Sequence, residues 1–143
     1  MKVTGWIQAS DYSSTDLGAV SFEQAARVVL SSPWAQRLHE FTERVLRKED
    51  ACPPGVGFNS EEEKDAFHVY AVALDEWQLY VSLSRPEKIL GLFRKPSKTL
   101  YLKVEALKQA VELLRLFFDR ENERLATEAA KYPSREAVLP TLG

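Results

Sequence analysis

Hydrophobic residues follow a helical period at both ends of the chain and a strand period in between. Ser21 stands at a helix N-cap position, and Gln24 occupies the third position after it, which is the capping-box spacing. This pattern predicts a first helix to about Leu30. A second helix follows Pro33, a residue that suits the first helical position. The apolar stripe of the second helix consists of Trp34, Leu38, Phe41 and Val45.

Two segments of the N-terminal half have no clear period. Residues 1–20 combine two large apolar residues, Trp6 and Ile7, with a polar run, so they are interpreted as a short strand or anchored arm followed by a loop. Residues 50–60 contain two prolines and two glycines, which indicate a connection of defined shape. We expect Val56 and Phe58 to turn inward within that connection.

After Asp65 the period becomes two. The cleanest alternation lies in residues 77–84, where every second residue is apolar and the others are polar or tyrosine. Short connections separate four such segments, so the pattern predicts an antiparallel meander. The four predicted strands are residues 67–74, 77–84, 88–94 and 99–103.

Helical spacing returns at Val104. Its wide apolar seam, formed by Leu107, Val111, Leu114 and Phe118, predicts a long helix packed on the sheet. Residues 119–131 are mostly charged, which predicts a solvated extension, and residues 133–143 are a tail that is either loose or pinned by Val138 and Leu139. The sequence therefore predicts one α+β domain over residues 1–143. It has two layers: two N-terminal helices, a four-stranded antiparallel meander and a long C-terminal helix.

Composition limits the class of protein. The chain has 143 residues, of which 45% are apolar and 28% charged, which suits a single soluble domain. No run approaches the roughly 20 apolar residues of a membrane-spanning helix, and no apolar leader follows Lys2. The lone Cys52 cannot form an intramolecular disulfide. We therefore expect a cytoplasmic protein that does not enter a membrane.

Three groups of residues invite a catalytic or metal-binding interpretation. His39 and Glu43 lie one helical turn apart, but the two-histidine zinc motif would need a second His there. Cys52 and His68 could form a thiol–imidazole pair, yet no flanking signature supports one. Gly55–Gly57 lacks the spacing of a phosphate-binding loop. We expect no enzyme activity, no metal site and no cofactor.

Charge is distributed unevenly. Six bases and one acid lie between Arg85 and Lys103, whereas the whole chain has 19 Lys and Arg against 21 Asp and Glu. Tyr80 and Tyr101 fall on the more polar alternation of the same strands, and exposed aromatic and basic residues are typical of binding surfaces. The predicted binding residues are Tyr80, Arg85, Arg94, Lys95, Lys98, Tyr101 and Lys103.

These residues favour a non-catalytic protein-binding module, similar in size and acidity to inhibitors, immunity proteins and secretion chaperones. The expected partner is an acidic protein. Residues 119–131 offer a second contact surface, for a partner or for a second copy in a homodimer.

An alternative is a single-stranded nucleic-acid-binding protein that uses the same residues. The predicted strand from Lys98 to Lys103 runs directly into the helical residues 104–107. This order of strands and helix, over about residues 66–125, resembles the ββββα arrangement of PUR-alpha and Whirly-type proteins. The resemblance implies that nucleobases stack on the two tyrosines and that Lys and Arg side chains contact the phosphates. Salt distinguishes the two hypotheses, because counterion release makes nucleic-acid binding strongly salt-dependent.

Overall fold

A computed structural model describes residues 2–62, 64–84 and 97–134 of the chain. Within these ranges the elements follow in the order β1 (Val3–Gln8), β2 (Ser14–Ala19), α1 (Phe22–Ser31), α2 (Trp34–Leu46), β3 (Gly55–Ser60), β4 (Ala66–Ala73), β5 (Glu76–Ser84), β6 (Ser97–Val104), α3 (Leu107–Phe118) and α4 (Asn122–Ala129). None of the described helices combines the length and the apolarity needed to cross a membrane.

The strands form one six-stranded antiparallel sheet with the order β2-β1-β3-β4-β5-β6. Neighbouring strands are consecutive in the chain except β1 and β3, between which α1 and α2 are inserted. The predicted α+β class is confirmed.

The core lies on one face of this sheet. In β5 the residues alternate strictly between buried and partly exposed, and β4 shows the same alternation from Ala66 to Ala71. Helix α1 contacts β3, α2 contacts β4, α3 contacts both β4 and β6, and α4 contacts β6. The helices therefore pack on this buried face. The largest side chains that are completely buried there include Phe58, Phe67, Leu79, Leu114, Phe117 and Leu125.

The two predicted N-terminal helices are present, and the first begins with the expected capping signal. The Ser21 hydroxyl accepts a hydrogen bond from the Gln24 backbone N–H, and the Gln24 side chain accepts one from the Ser21 N–H, so the capping box is complete. Trp34 begins α2 and anchors it, because its buried indole Nε1 donates to the Val29 carbonyl at 2.8 Å.

Residues 55–60 are a strand, and the expectation of a connection there was wrong. β3 lies near the middle of the sheet, between β1 and β4. Its two glycines are paired within the sheet, and they lie under aromatic rings of neighbouring strands. Val56 and Phe58 are completely buried, as expected. Residues 14–19, expected as loop, form the edge strand β2.

The predicted strand order of the meander is wrong at one point, because β5 and β6 are direct neighbours in the sheet. β5 pairs with β6 along its length, from Trp77 opposite Val104 to Ser84 opposite Ser97, so the predicted second and fourth strands are direct neighbours. The predicted third strand, residues 88–94, lies outside the described residues.

The C-terminal helix is two helices. It ends at Phe118, and Arg120 adopts a left-handed conformation with φ of 59° before α4 begins. Leu125 is completely buried and Ala129 nearly so, whereas the charged residues of this segment are exposed or partly exposed. After α4, the Pro133 carbonyl accepts a hydrogen bond from the Lys103 N–H, and Ser134 bridges to Leu102, so this part of the chain is fixed to β6.

Candidate binding face

The side of the sheet opposite the helices, which we call the open face, carries the candidate site. Its strand residues are partly exposed where their neighbours in sequence are buried. Many are uncharged polar residues, among them Thr4, Gln8, Gln78, Ser82 and Thr99. No described helix packs on this side.

Four aromatic side chains cross the open face in one line. Trp6 of β1 is paired with Gly57 of β3, Gly57 with His68 of β4, His68 with Tyr80 of β5, and Tyr80 with Tyr101 of β6. Paired residues in adjacent strands point to the same side of a sheet. We call Trp6, His68, Tyr80 and Tyr101 the aromatic row.

Two glycines of β3 make room for rings that lie across the strand. A Cβ placed on Gly57 would lie 2.2 Å from indole atoms of Trp6, and one on Gly55 would lie 2.6 Å from the ring of Tyr70. Both rings therefore rest on the β3 backbone where a side chain would otherwise stand. Glycine in a strand interior often marks such a close approach.

His68 stands between these two rings. Its ring is 4.8 Å from the Trp6 ring, centroid to centroid, with an interplanar angle of 77°, and it meets the Tyr70 ring at 80°. Edge-to-face contacts of this kind are a favourable aromatic arrangement. The three rings therefore form a packed group and hold one another in place.

Hydrogen bonds join the same residues. With its amide oxygen toward Trp6, Asn59 accepts from the Trp6 Nε1–H at 3.1 Å and donates to His68 Nε2 at 3.1 Å. This orientation makes Nε2 an acceptor, so the proton of the neutral ring lies on Nδ1. Nδ1 is 3.3 Å from the Tyr70 hydroxyl, to which it then donates. Both ring nitrogens of His68 are thereby engaged.

Burial keeps His68 neutral. Removal of the imidazole from water lowers the pKa of His68 from 6.5 to about 4. A neutral ring also suits the donor that Asn59 presents to Nε2. At neutral pH His68 is therefore an uncharged member of the aromatic row.

The two tyrosines of the row keep their hydroxyls available. The Tyr80 ring lies 5.3 Å from His68 and 5.2 Å from Tyr101, measured between ring centroids. Neither the Tyr80 nor the Tyr101 hydroxyl has a hydrogen-bond partner among the described residues, in contrast to that of Tyr70. These two groups can donate to a bound molecule.

Charge is sparse on the open face. Lys103 lies beside the row, and its Nζ is 3.5 Å from Glu76 Oε1. Asp16 of β2, opposite Trp6 in register, is exposed and forms no ion pair with a described residue. Within residues 2–62, 64–84 and 97–134, the strands of this face thus carry one unpaired charge, and it is negative.

The predicted binding residues separate into three groups. Tyr80, Tyr101 and Lys103 share the open face. Lys98 is paired with the buried Leu83, so it belongs to the opposite alternation, on the helix side. The remaining three, Arg85, Arg94 and Lys95, lie outside the described residues.

The catalytic and metal candidates do not assemble into a site. His39 Nε2 is 3.9 Å from Glu43 Oε1 on the exposed side of α2. The Cys52 thiol donates to the Ala9 carbonyl at 3.2 Å and accepts from the Gln8 side chain at 3.3 Å. Within the described part of the chain, no three His, Cys, Asp or Glu residues lie close enough together to hold a metal ion.

The sequence pattern does not predict that Trp6, Asn59, His68 and Tyr70 lie together on the open face. Their grouping depends on the pairing of β1 with β3, which local periodicity does not reveal. One local signal was available: Gly55 and Gly57 have the two-residue spacing of one strand face, which is the pattern expected where rings cross a strand.

Comparison of the chain with protein-family models, with curated proteins and with solved structures finds no match. The fold therefore suggests no function by analogy, and the geometry of the open face carries the functional inference.

Proposed function

We propose that this chain is a non-catalytic protein-binding module that engages its partner through the open face. The observation that carries the proposal is the aromatic row, four rings from β1, β4, β5 and β6 that lie in register on a face that no described helix covers. The central parts of protein interfaces are enriched in Tyr and Trp and depleted in charged residues, and this face has the same composition.

The rigidity of the face supports binding. Trp6, His68 and Tyr70 are held by mutual ring contacts, by Asn59 and by the glycines beneath them. Side chains that are already fixed lose little conformational entropy when a partner orders them further, so more of the contact energy appears as affinity.

The charge of the described face favours a protein over nucleic acid. A single-strand-binding surface combines stacking rings with a positively charged groove. Here Lys103 is paired with Glu76, Lys98 is on the other face, and Asp16 adds a negative charge. An acidic partner remains a prediction that depends on Arg85, Arg94 and Lys95.

The test is capture of a partner from an extract of the native cells, with nuclease-treated and untreated samples in parallel. The baits are the wild-type chain, the double variant Tyr80→Ala/Tyr101→Ala and the control Tyr12→Ala, which removes a tyrosine that is 58% exposed away from the row. We expect a protein that the wild type and the control retain, that nuclease does not release, and that the double variant loses.

Three results would overturn the proposal: no retained protein, equal retention by the double variant, or recovery that depends entirely on nucleic acid. The third result would support the single-stranded nucleic-acid alternative. Circular dichroism of each bait establishes that a lost partner reflects a lost contact and not unfolding.

A further inference from the structure

We propose that the ligand of the aromatic row is a proline-rich segment in the polyproline II conformation, with a basic residue at one end. This inference rests on the proposed function and specifies its partner chemistry. It is based on the spacing of the rings, on the hydrogen-bonding groups that they present and on the position of Asp16.

The spacing of the rings is close to the repeat of a polyproline II helix. Adjacent rings of the row are in contact, with centroid separations of 4.8 Å for Trp6–His68, 5.3 Å for His68–Tyr80 and 5.2 Å for Tyr80–Tyr101. Alternate rings therefore recur at roughly 10 Å, and a polyproline II helix advances about 9.3 Å in each turn of three residues. Every third residue of such a helix could therefore lie on every second ring.

The row is also the right length for a short motif. The Trp6 ring lies over Gly57 of β3, so the four rings stand in sequence over β3, β4, β5 and β6. Three strand spacings are roughly 14 Å, which about five residues of polyproline II would span.

The hydrogen-bonding groups are complementary. Proline residues have no N–H, and the carbonyls of a polyproline II helix have no internal partners, so the segment offers acceptors that need donors. Tyr80 and Tyr101 each offer an O–H without a partner among the described residues. Recognition of proline-rich segments by aromatic-lined surfaces uses this combination.

Charge favours a basic residue at one end of the segment. Asp16 is exposed and stands opposite Trp6 in register, at the β2 end of the row. Its carboxylate also accepts a hydrogen bond from the Gly18 N–H at 2.8 Å, which fixes the carboxylate in position. A Lys or Arg beyond the last proline could pair with it.

The experiment titrates the full chain with three blocked peptides: ten prolines, ten prolines followed by one arginine, and a ten-residue glycine–serine control. A ten-residue oligodeoxythymidine is titrated in parallel. Trp34 and Trp77 are buried, at 5% and 7% exposure, so a change in fluorescence on binding reports mainly on Trp6.

We expect both proline peptides to bind at concentrations below about 1 mM, and the glycine–serine peptide not to bind. Tyr80→Phe and Tyr101→Phe, which keep the ring and remove the hydroxyl, should each weaken proline binding about threefold to tenfold. The matched variant Tyr12→Phe should not change it. Asp16→Asn should weaken only the peptide that ends in arginine.

The two proposals can fail separately. If no proline peptide binds but capture of a protein still depends on Tyr80 and Tyr101, the ligand assignment is wrong and the protein-binding function stands. If the oligonucleotide binds in place of the peptides, both are wrong. Sedimentation of the free chain adds a further outcome: a dimer that Tyr80→Ala/Tyr101→Ala dissociates would place a second copy on the row and overturn the ligand assignment.

Discussion

Replacement of Gly57 by alanine should displace the Trp6 ring. The new Cβ would lie 2.2 Å from two indole carbons and 2.7 Å from Nε1, distances at which atoms cannot coexist. The backbone of β3 is fixed by pairing on both sides, to β1 and to β4, whereas the indole is at the surface. The indole should therefore move away.

The size of the effect follows from what the indole loses. Its edge-to-face contact with His68 contributes about 0.5–1.5 kcal/mol, and the hydrogen bond to Asn59 about 0.5–1.5 kcal/mol. Alanine in place of a strand glycine returns about 0.5–1 kcal/mol. The net loss in the free energy of unfolding should lie between about 0 and 2.5 kcal/mol, with the middle of the range at about 1.3 kcal/mol.

A double-mutant cycle with Trp6→Ala tests this reasoning. Without the indole, Gly57→Ala should no longer destabilise and should stabilise the chain by about 0.5–1 kcal/mol, because only the backbone effect remains. Urea denaturation followed by circular dichroism measures the four stabilities. An equal effect of Gly57→Ala with and without Trp6 would refute the inference that Gly57 makes room for the Trp6 ring.

Three further outcomes follow from other contacts. Because the pKa of His68 is about 4 in the folded chain and near 6.5 when unfolded, the unfolded state binds the extra proton between these values. The free energy of unfolding should therefore fall by at most about 3 kcal/mol as pH decreases from about 6.5 to about 4. The His68→Gln variant should lack this decrease when its stability is measured against pH beside that of the wild type. The buried Asp65 accepts hydrogen bonds from the backbone N–H and hydroxyl of Ser84, so Asp65→Ala should cost about 2–4 kcal/mol in urea denaturation, whereas the exposed Asp75→Ala should change little. Leu125→Ala should cost about 2–5 kcal/mol by the same assay, and a loss below about 1 kcal/mol would show that α4 does not pack as described.

The elements with a strong local period could be predicted from the sequence. In β5, every second residue is apolar, and the structure buries those same residues. Ser21 and Gln24 identified the start of α1 through a purely local capping geometry. Such signals depend on residues a few positions apart, which a single sequence displays directly.

The parts of the fold that could not be predicted from the sequence depend on contacts between distant residues. The Pro-Pro-Gly sequence before Val56 is typical of a turn, and residues 55–60 become a strand only because they pair with β1 on one side and with β4 on the other. The break before α4 falls at Arg120, a residue type that gives no warning of a left-handed conformation.

The candidate site was predicted in the part where strands are consecutive. Tyr80 and Tyr101 fall on the polar alternation of β5 and β6, and the structure pairs them. Trp6 joins them only through the register of β1 on β3, so its role could not be predicted from periodicity. The placement of Lys98 shows the limit of counting charges without strand register.

The insertion of α1 and α2 between β1 and β3 has a consequence for the order of folding. Strands β4, β5 and β6 pair with sequence neighbours, whereas β1 must close a long loop to reach β3, and such closure is entropically slow. We expect pulse-labelled hydrogen exchange to protect the amides of β4 and β5 before those of β1; simultaneous protection would contradict this order. Docking of β1 is then the late event that brings Trp6 over Gly57, so the row becomes complete only in a fully folded chain. A newly made or partly unfolded copy would therefore not compete for the same ligand.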